Sequence, residues 1–233
     1  MAAPIGLHPT APLAERVLLP GDPARALRLA ESLLEGPKMF NHHRGLWGYT
    51  GLAPDGALLT IQSTGIGGPS AAIVVSELID LGARLLVRTG TCGALQSGLR
   101  LGNIVTATEA ITADGTSRAL GAGERASASH DLLPALAAAA QHAGPVVTTD
   151  LFYDSRGLER SWSAAGALAI EMECATVFAL AAARGIQAGA LLVVSDLVLP
   201  ARERIGEDDL RAAEQRMGRE ALRALGLVGE PQP

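Results

Sequence analysis

Short apolar runs, glycine-rich turns and longer stretches of helical periodicity alternate along this 233-residue chain. Val17-Leu18-Leu19, Leu58 to Gln62, Leu85-Leu86-Val87, Asn103 to Thr108, Val146 to Thr149 and Ala188 to Val194 are too short for helices and read as buried strands. Trp47 to Thr50 is strand-like, and Ala167 to Ile170 leads into Glu171. Helical patterns fall between them. Asp22 suits an N-cap and Pro23 a first helical residue, and the helix they open predicts an apolar side of Leu27, Leu29, Ala30, Leu33 and Leu34. Further helices are expected from Ser70 to Leu81, Leu132 to His142, the Glu171–Cys174 segment to Arg184, and Glu207 to about Leu225. The Pro- and Ala-rich first 16 residues predict an extended arm, and Thr112 to Ser129 reads as a loop. No repeat or linker divides the chain. The expectation is one α/β domain over residues 1–233, with a central mixed β-sheet in a three-layer α/β/α arrangement.

Composition narrows the functional classes. The formal charge of −5 argues against a general nucleic-acid binder. Two cysteines without metal-like spacing suggest a reduced, cytoplasmic protein, and no signal-like or membrane-length apolar run is seen. The adjacent His42 and His43 do not share a strand face, so they make a poor metal pair, and His8 reads as a surface residue of the arm. The glycines from Ser63 to Ser70 fit neither a dinucleotide fingerprint nor a Walker loop. No metal or cofactor is expected.

The chemistry gathers where strands end, as it does in α/β folds. Arg88-Thr89-Gly90-Thr91-Cys92-Gly93 reads as a turn after Leu85-Leu86-Val87. It brings together a guanidinium, a hydroxyl and backbone N–H groups, a set suited to anionic oxygens. Gly21 precedes a helix start with Arg25 one turn in, a second place for an anion. Taken singly these are a loop turn and a capped helix. Other strand ends carry Phe152, Glu171 to Glu173, and Asp196. Arginines for an anion, carboxylates for hydroxyls, an aromatic for a flat ring and an Asp for proton transfer together describe a nucleoside and a phosphate.

The run Ser-Thr-Gly-Ile-Gly-Gly-Pro-Ser-Ala-Ala-Ile-Val-Val-Ser-Glu-Leu at 63–78 resembles the signature of the nucleoside phosphorylase family, which includes bacterial hexameric purine nucleoside phosphorylase and uridine phosphorylase. Gly-Asp-Pro-x-Arg at 21–25, Arg-Gly at 44–45, Arg-x-Gly-Thr at 88–91, Phe-Tyr at 152–153, Glu-Met-Glu at 171–173 and Ser-Asp at 195–196 follow in the same order. The resemblance implies phosphate binding by Gly21, Arg25, Arg88, Gly90 and Thr91, with Arg44 supplied across a dimer interface. It implies a nucleoside side made of Cys92, Gly93, Phe152, Glu171, Met172, Glu173 and Ser195, with Glu173 accepting the sugar hydroxyls and Phe152 stacking on the base. Asp196 is the implied catalytic acid, and Arg211 its first candidate partner, with Arg202 and Arg204 competing. A homo-oligomer is implied, a hexamer built from dimers, acting on a small nucleoside with inorganic phosphate as co-substrate.

Three departures from the family pattern stand out. His8 lies about four residues later than the arm histidine the family offers to a neighbour's ribose. The arginine partner of Asp196 is loosely aligned. Arg156 stands where the uridine enzymes carry a Gln that reads uracil. The rivals are a uridine phosphorylase, a nucleosidase that uses water in place of phosphate, and a non-catalytic nucleoside binder. The arginine set and Asp196 favour phosphorolysis of a purine nucleoside.

Overall fold

The computed structural model describes residues 4–227; the expected arm and domain extend to residues 1–3 and 228–233, which lie outside the described residues. The strands are β1 (Arg16–Leu19), β2 (Glu35–Asn41), β3 (Gly48–Leu52), β4 (Leu58–Gln62), β5 (Leu85–Ala94), β6 (Ile104–Ala113), β7 (Arg125–Ser127), β8 (His142–Thr149), β9 (Ala169–Glu171), β10 (Gln187–Leu197) and β11 (Glu203–Arg204). The helices are α1 (Pro23–Leu33), α2 (Gly68–Leu81), α3 (Gly115–Ala119), α4 (Leu133–Ala138), α5 (Glu159–Ala164), α6 (Cys174–Arg184) and α7 (Glu207–Ala224), with a 3₁₀ turn at His43–Gly45.

All strands join one mixed sheet in the order β11-β10-β6-β8-β9-β5-β1-β4-β3-β2, with β7 on β6. β10 also pairs directly with β5, so β5, β9, β8, β6 and β10 close into a ring. The length of β5 makes this possible, because it bonds β1 near its start and β9 near its end while β10 runs along its other edge.

Period-two alternation divides the core. Val17, Leu19, Leu86, Leu192 and Val194 face the cluster that contains α2 and α6, while Leu18, Val87, Leu191 and Val193 face α1, α4 and α7. Both faces of the central strands are therefore covered, which is why those strands are apolar runs instead of alternating ones. Asp22 caps α1 as its position predicts, accepting from the N–H groups of Ala24 at 2.9 Å and Arg25 at 3.0 Å.

Several expectations are corrected. Arg88 to Gly93 is not a turn: β5 continues to Ala94, because β10 supplies parallel partners for every residue from Leu85 to Gly93. Cross-strand pairing overrides the weak strand preference of glycine. The segment 112–129 holds the end of β6 together with α3 and β7. The helix expected from Leu132 to His142 shrinks to α4, since His142 already opens β8 beside Val105. β2 and α5 were not anticipated; Glu35–Asn41 has little apolar pattern because most of that edge strand is exposed.

Candidate active site

The C-terminal stretches of β5 and β10 open onto a cavity of about 560 Å³. Its wall includes Gly21, Arg25, Arg44, Arg88, Thr91, Cys92, Gly93, Phe152, Glu171, Met172, Glu173, Ser195 and Asp196, so most of the residues singled out in the sequence meet in one place.

One end of the cavity is built from buried charge. Arg88 is 4% exposed; its Nε donates to Glu171 Oε2 at 2.9 Å and its Nη2 pairs with Glu173 Oε2. Its Nη1 is buried without a protein partner. A guanidinium carries its donors in a fixed fork, so two anchored edges hold the third in place. Gly90 is the floor beneath it. A Cβ at Gly90 would lie 2.7 Å from Arg88 Cζ, so only glycine fits. Gly90 thereby supports the Arg88 guanidinium from below.

Glu171 is tied down on both oxygens. Its side chain is fully shielded, and its oxygens accept from Thr148 Oγ1 at 2.5 Å, Arg88 Nε, Glu173 N at 2.8 Å and Cys174 N at 2.9 Å. It positions Arg88 and the start of α6 from the cavity wall. Glu173 keeps acceptor capacity: Oε1 takes the Gly67 N–H at 2.5 Å and Oε2 takes Arg88. Burial pushes its carboxyl above the ordinary range; the Arg88 charge opposes this and Glu171 adds to it. Burial works against the charged form of Arg88, yet the two glutamates outweigh it and raise its value.

Arg25 reaches the same wall from α1. Its Nε donates to Glu214 Oε1 at 2.7 Å, and the other oxygen of Glu214 takes Arg28 Nη2 at 2.7 Å. Glu214, only 2% exposed, escaped the sequence reading. The available signal was a carboxylate on the buried stripe of α7, among Ala213, Met217 and Ala221. Gly21 stacks tightly on the neighbouring turn, where Gly65 N donates to its carbonyl at 3.1 Å and a Cβ would approach Gly65 O to 3.2 Å.

Asp196 owes its place to a β-bulge. Val194 pairs with Cys92 and Asp196 with Gly93, which leaves Ser195 as the extra residue. Bulges re-aim side chains next to active sites, and this one leaves Asp196 buried at the cavity wall. Its Oδ2 accepts from Ser195 Oγ at 2.8 Å and its Oδ1 from Arg204 Nε at 3.1 Å. Arg204 lies directly opposite Asp196 in the β10–β11 pair. Arg211, the first candidate partner, instead pairs with Glu207 one turn into α7, where it is exposed. Asp196 therefore has a cationic neighbour at the cavity wall.

The opposite side of the cavity is a loop between β8 and β9. Phe152 is 46% exposed, stands edge-on to Tyr153 with centroids 5.0 Å apart, and lies 5.6 Å below the Arg202 guanidinium carbon. Arg156 is held bidentately by Asp154 and is not on the cavity wall. Cys92 is on that wall, and burial pushes its thiol well up, so it acts as a small apolar surface.

Arg44 sits in the 3₁₀ turn with φ of 55°, a left-handed conformation uncommon outside glycine, and borders this chain's own cavity. His8 does not reach the cavity; its ring stacks on His43 with centroids 3.8 Å apart. The arm that carries it is latched by Glu77, whose carboxylate accepts from the N–H groups of Ile5, Gly6 and Leu7 at 2.7 to 3.1 Å.

A family model described as the phosphorylase superfamily matches residues 15–228. A DeoD-type purine nucleoside phosphorylase of Geobacillus kaustophilus is 38% identical over 85% of this chain and 88% of its own length. A guanosine phosphorylase of Halorubrum lacusprofundi is 40% identical over 84% of this chain and 83% of its own. Among solved structures, the uridine phosphorylase of Vibrio fischeri complexed with 6-hydroxy-1-naphthoic acid superposes with a TM-score of 0.82 at 28% identity, covering 92% of both chains.

Proposed function

The chain belongs to the phosphorylase superfamily, and from that premise we propose that it is a purine nucleoside phosphorylase, cleaving purine ribo- or deoxyribonucleosides with inorganic phosphate. The observation that carries this reading is Arg88, fixed on two edges by Glu171 and Glu173 while its buried Nη1 is free. A nucleosidase, which uses water, has no need of that free donor beside Arg25 on the same cavity wall.

In the reaction, Glu173 accepts sugar hydroxyls and Met172 packs beside the sugar, while Phe152 stacks on the base. Arg25, Arg44, Arg88 and Thr91 hold phosphate. The bond from C1′ to the base nitrogen breaks as a phosphate oxygen bonds to C1′. Asp196 gives a proton to N7 of the leaving purine, and Arg204 stabilises the carboxylate left behind. Such proton transfer contributes about 10²–10⁴-fold, and holding both reactants in one site supplies much of the rest. The uridine reading draws on the fold likeness, but Arg156, where a uracil-reading Gln was sought, is committed to Asp154.

The same proposal includes a homo-oligomer, a trimer of dimers, in the cytoplasm. Among the described residues no helix is long and apolar enough to cross a membrane. The test is turnover of inosine, guanosine, adenosine and uridine with and without phosphate. The expected products from inosine are hypoxanthine and ribose 1-phosphate, with no reaction when phosphate is omitted; release of free ribose at equal rate would sink the proposal. Sedimentation and mixing of Arg44→Ala with Asp196→Ala variants test the assembly. Regained activity means that Arg44 serves a neighbour's cavity, and none means that it serves its own.

A further inference from the structure

Asp22, Asp154, Glu159, Glu171, Glu173 and Asp196 all border the cavity. Asp22 caps α1, Asp154 holds Arg156, Glu171 and Glu173 hold Arg88, and Asp196 takes Arg204 and Ser195. Glu159 alone among these six has no hydrogen-bond or ion-pair partner among the described residues. It is half-buried and stands in the first turn of α5, directly after the N-cap Leu158. Arg156 lies on Asp154, Arg202 lies over the Phe152 ring, and the adjacent Arg160 is exposed and makes no ion pair with Glu159 among the described residues. A carboxylate withdrawn partly from water without a donor is unfavourable, so this one is poised for a donor that arrives with the substrate.

We infer that Glu159 sets base preference by accepting N–H donors from the Watson–Crick edge of the purine. This deepens, and rests on, the nucleoside phosphorylase reading. Phe152, Glu159 and Asp196 share the cavity, but Asp196 comes from β10 and Glu159 from the β8–β9 loop. A purine likewise presents N7 on one edge and N1 with the 2-substituent on another. Guanine offers N1–H and the 2-amino group side by side, a fork that matches both oxygens of a carboxylate. Hypoxanthine offers N1–H alone. Adenine turns the lone pair of N1 toward the carboxylate, which leaves two acceptors facing each other. The expected order is guanosine, then inosine, then adenosine. Sites built on such hydrogen bonds reject analogues lacking them far more strongly than apolar pockets reject a missing methylene.

The experiment compares kcat/KM for the three nucleosides in wild type and Glu159→Gln, alongside calorimetric binding of free guanine and adenine. Glu159→Gln should lower guanosine turnover by roughly tenfold or more, inosine by less, and leave adenosine level or raised. Guanine binding should weaken while adenine binding does not, and the melting temperature should hold. A wild-type preference for adenosine, or equal losses on all three substrates, would overturn the role of Glu159 while leaving phosphorolysis intact. Absence of phosphate-dependent cleavage would instead remove the phosphorylase reading, and the binding measurement would then decide Glu159 by itself: equal effects on guanine and adenine overturn it.

Discussion

The two sides of the cavity are built on opposite principles. The sugar and phosphate side rests on β5, β9 and the start of α6, where Arg88, Glu171 and Glu173 form a buried network tied to the backbone at Gly67, Glu173 and Cys174. The base side is a loop in which Phe152 is half exposed and Tyr153 is 90% exposed. Buried charges need every partner present, so the first side can hardly vary without damage to the fold. The loop carries few such obligations. Changes there alter which base is held and leave the fold alone, as is usual where recognition sits on loops over a rigid scaffold.

The largest expected effect comes from breaking the rigid side. Arg88→Met leaves Glu171 and Glu173 facing each other in a buried site without their counter-charge. A loss of about 3–5 kcal/mol of stability is expected, with activity falling below detection. Denaturant unfolding and phosphorolysis assays measure the two losses. Arg88→Lys sharpens the point, because it keeps charge and loses the fork. That variant should remain folded while the KM for phosphate rises; an unchanged KM would mean that the fork does not meet phosphate.

Asp196→Asn comes next. It should lower turnover of guanosine and inosine by roughly 10²-fold, the scale of one general acid. With 7-methylguanosine, whose base already carries the positive charge, the loss should be much smaller. Equal losses on both substrates, measured on a folded variant, would take Asp196 out of the chemistry.

The smallest effect belongs to the loop. Phe152→Ala should raise the nucleoside KM by about tenfold, in keeping with roughly 0.5–1.5 kcal/mol for an aromatic contact. Melting should barely move, because Phe152 contributes little to the core. A marked drop in melting temperature would show that the loop is structural after all and would erase the contrast with Arg88.

Much of this arrangement is written locally. The Asp22-Pro23 start of α1, the apolar runs of β1, β4, β5 and β10, and the glycine-rich stretch before α2 declare themselves through capping chemistry and periodicity. The residues of the cavity were legible as a set because strand ends collect in this fold class. What local pattern could not show is partnership. Arg88, Glu171 and Gly90 all read alike as groups that touch substrate, and the sequence does not show that Glu171 and Gly90 also brace Arg88. Nothing between residues 88 and 171 announces an ion pair that only the β5–β9 pairing brings within reach.

That Arg204 and not Arg211 pairs with Asp196 in this structure has the same origin. Three arginines lie within ten positions of one another on either side of a turn, and composition treats them alike. The register of β11 against β10 puts Arg204 opposite Asp196, and the phase of α7 sends Arg211 to solvent. Likewise, Glu214 looks like any helix glutamate until the packing of α7 on α1 sets it between Arg25 and Arg28. The sequence by itself determined the alternation of strands and helices and the kinds of chemical group at the strand ends, because those follow from neighbours a few residues apart. Tertiary structure decided which group meets substrate and which one merely holds another in place, because burial, strand register and long-range charge pairing arise only when distant segments share one dry interior.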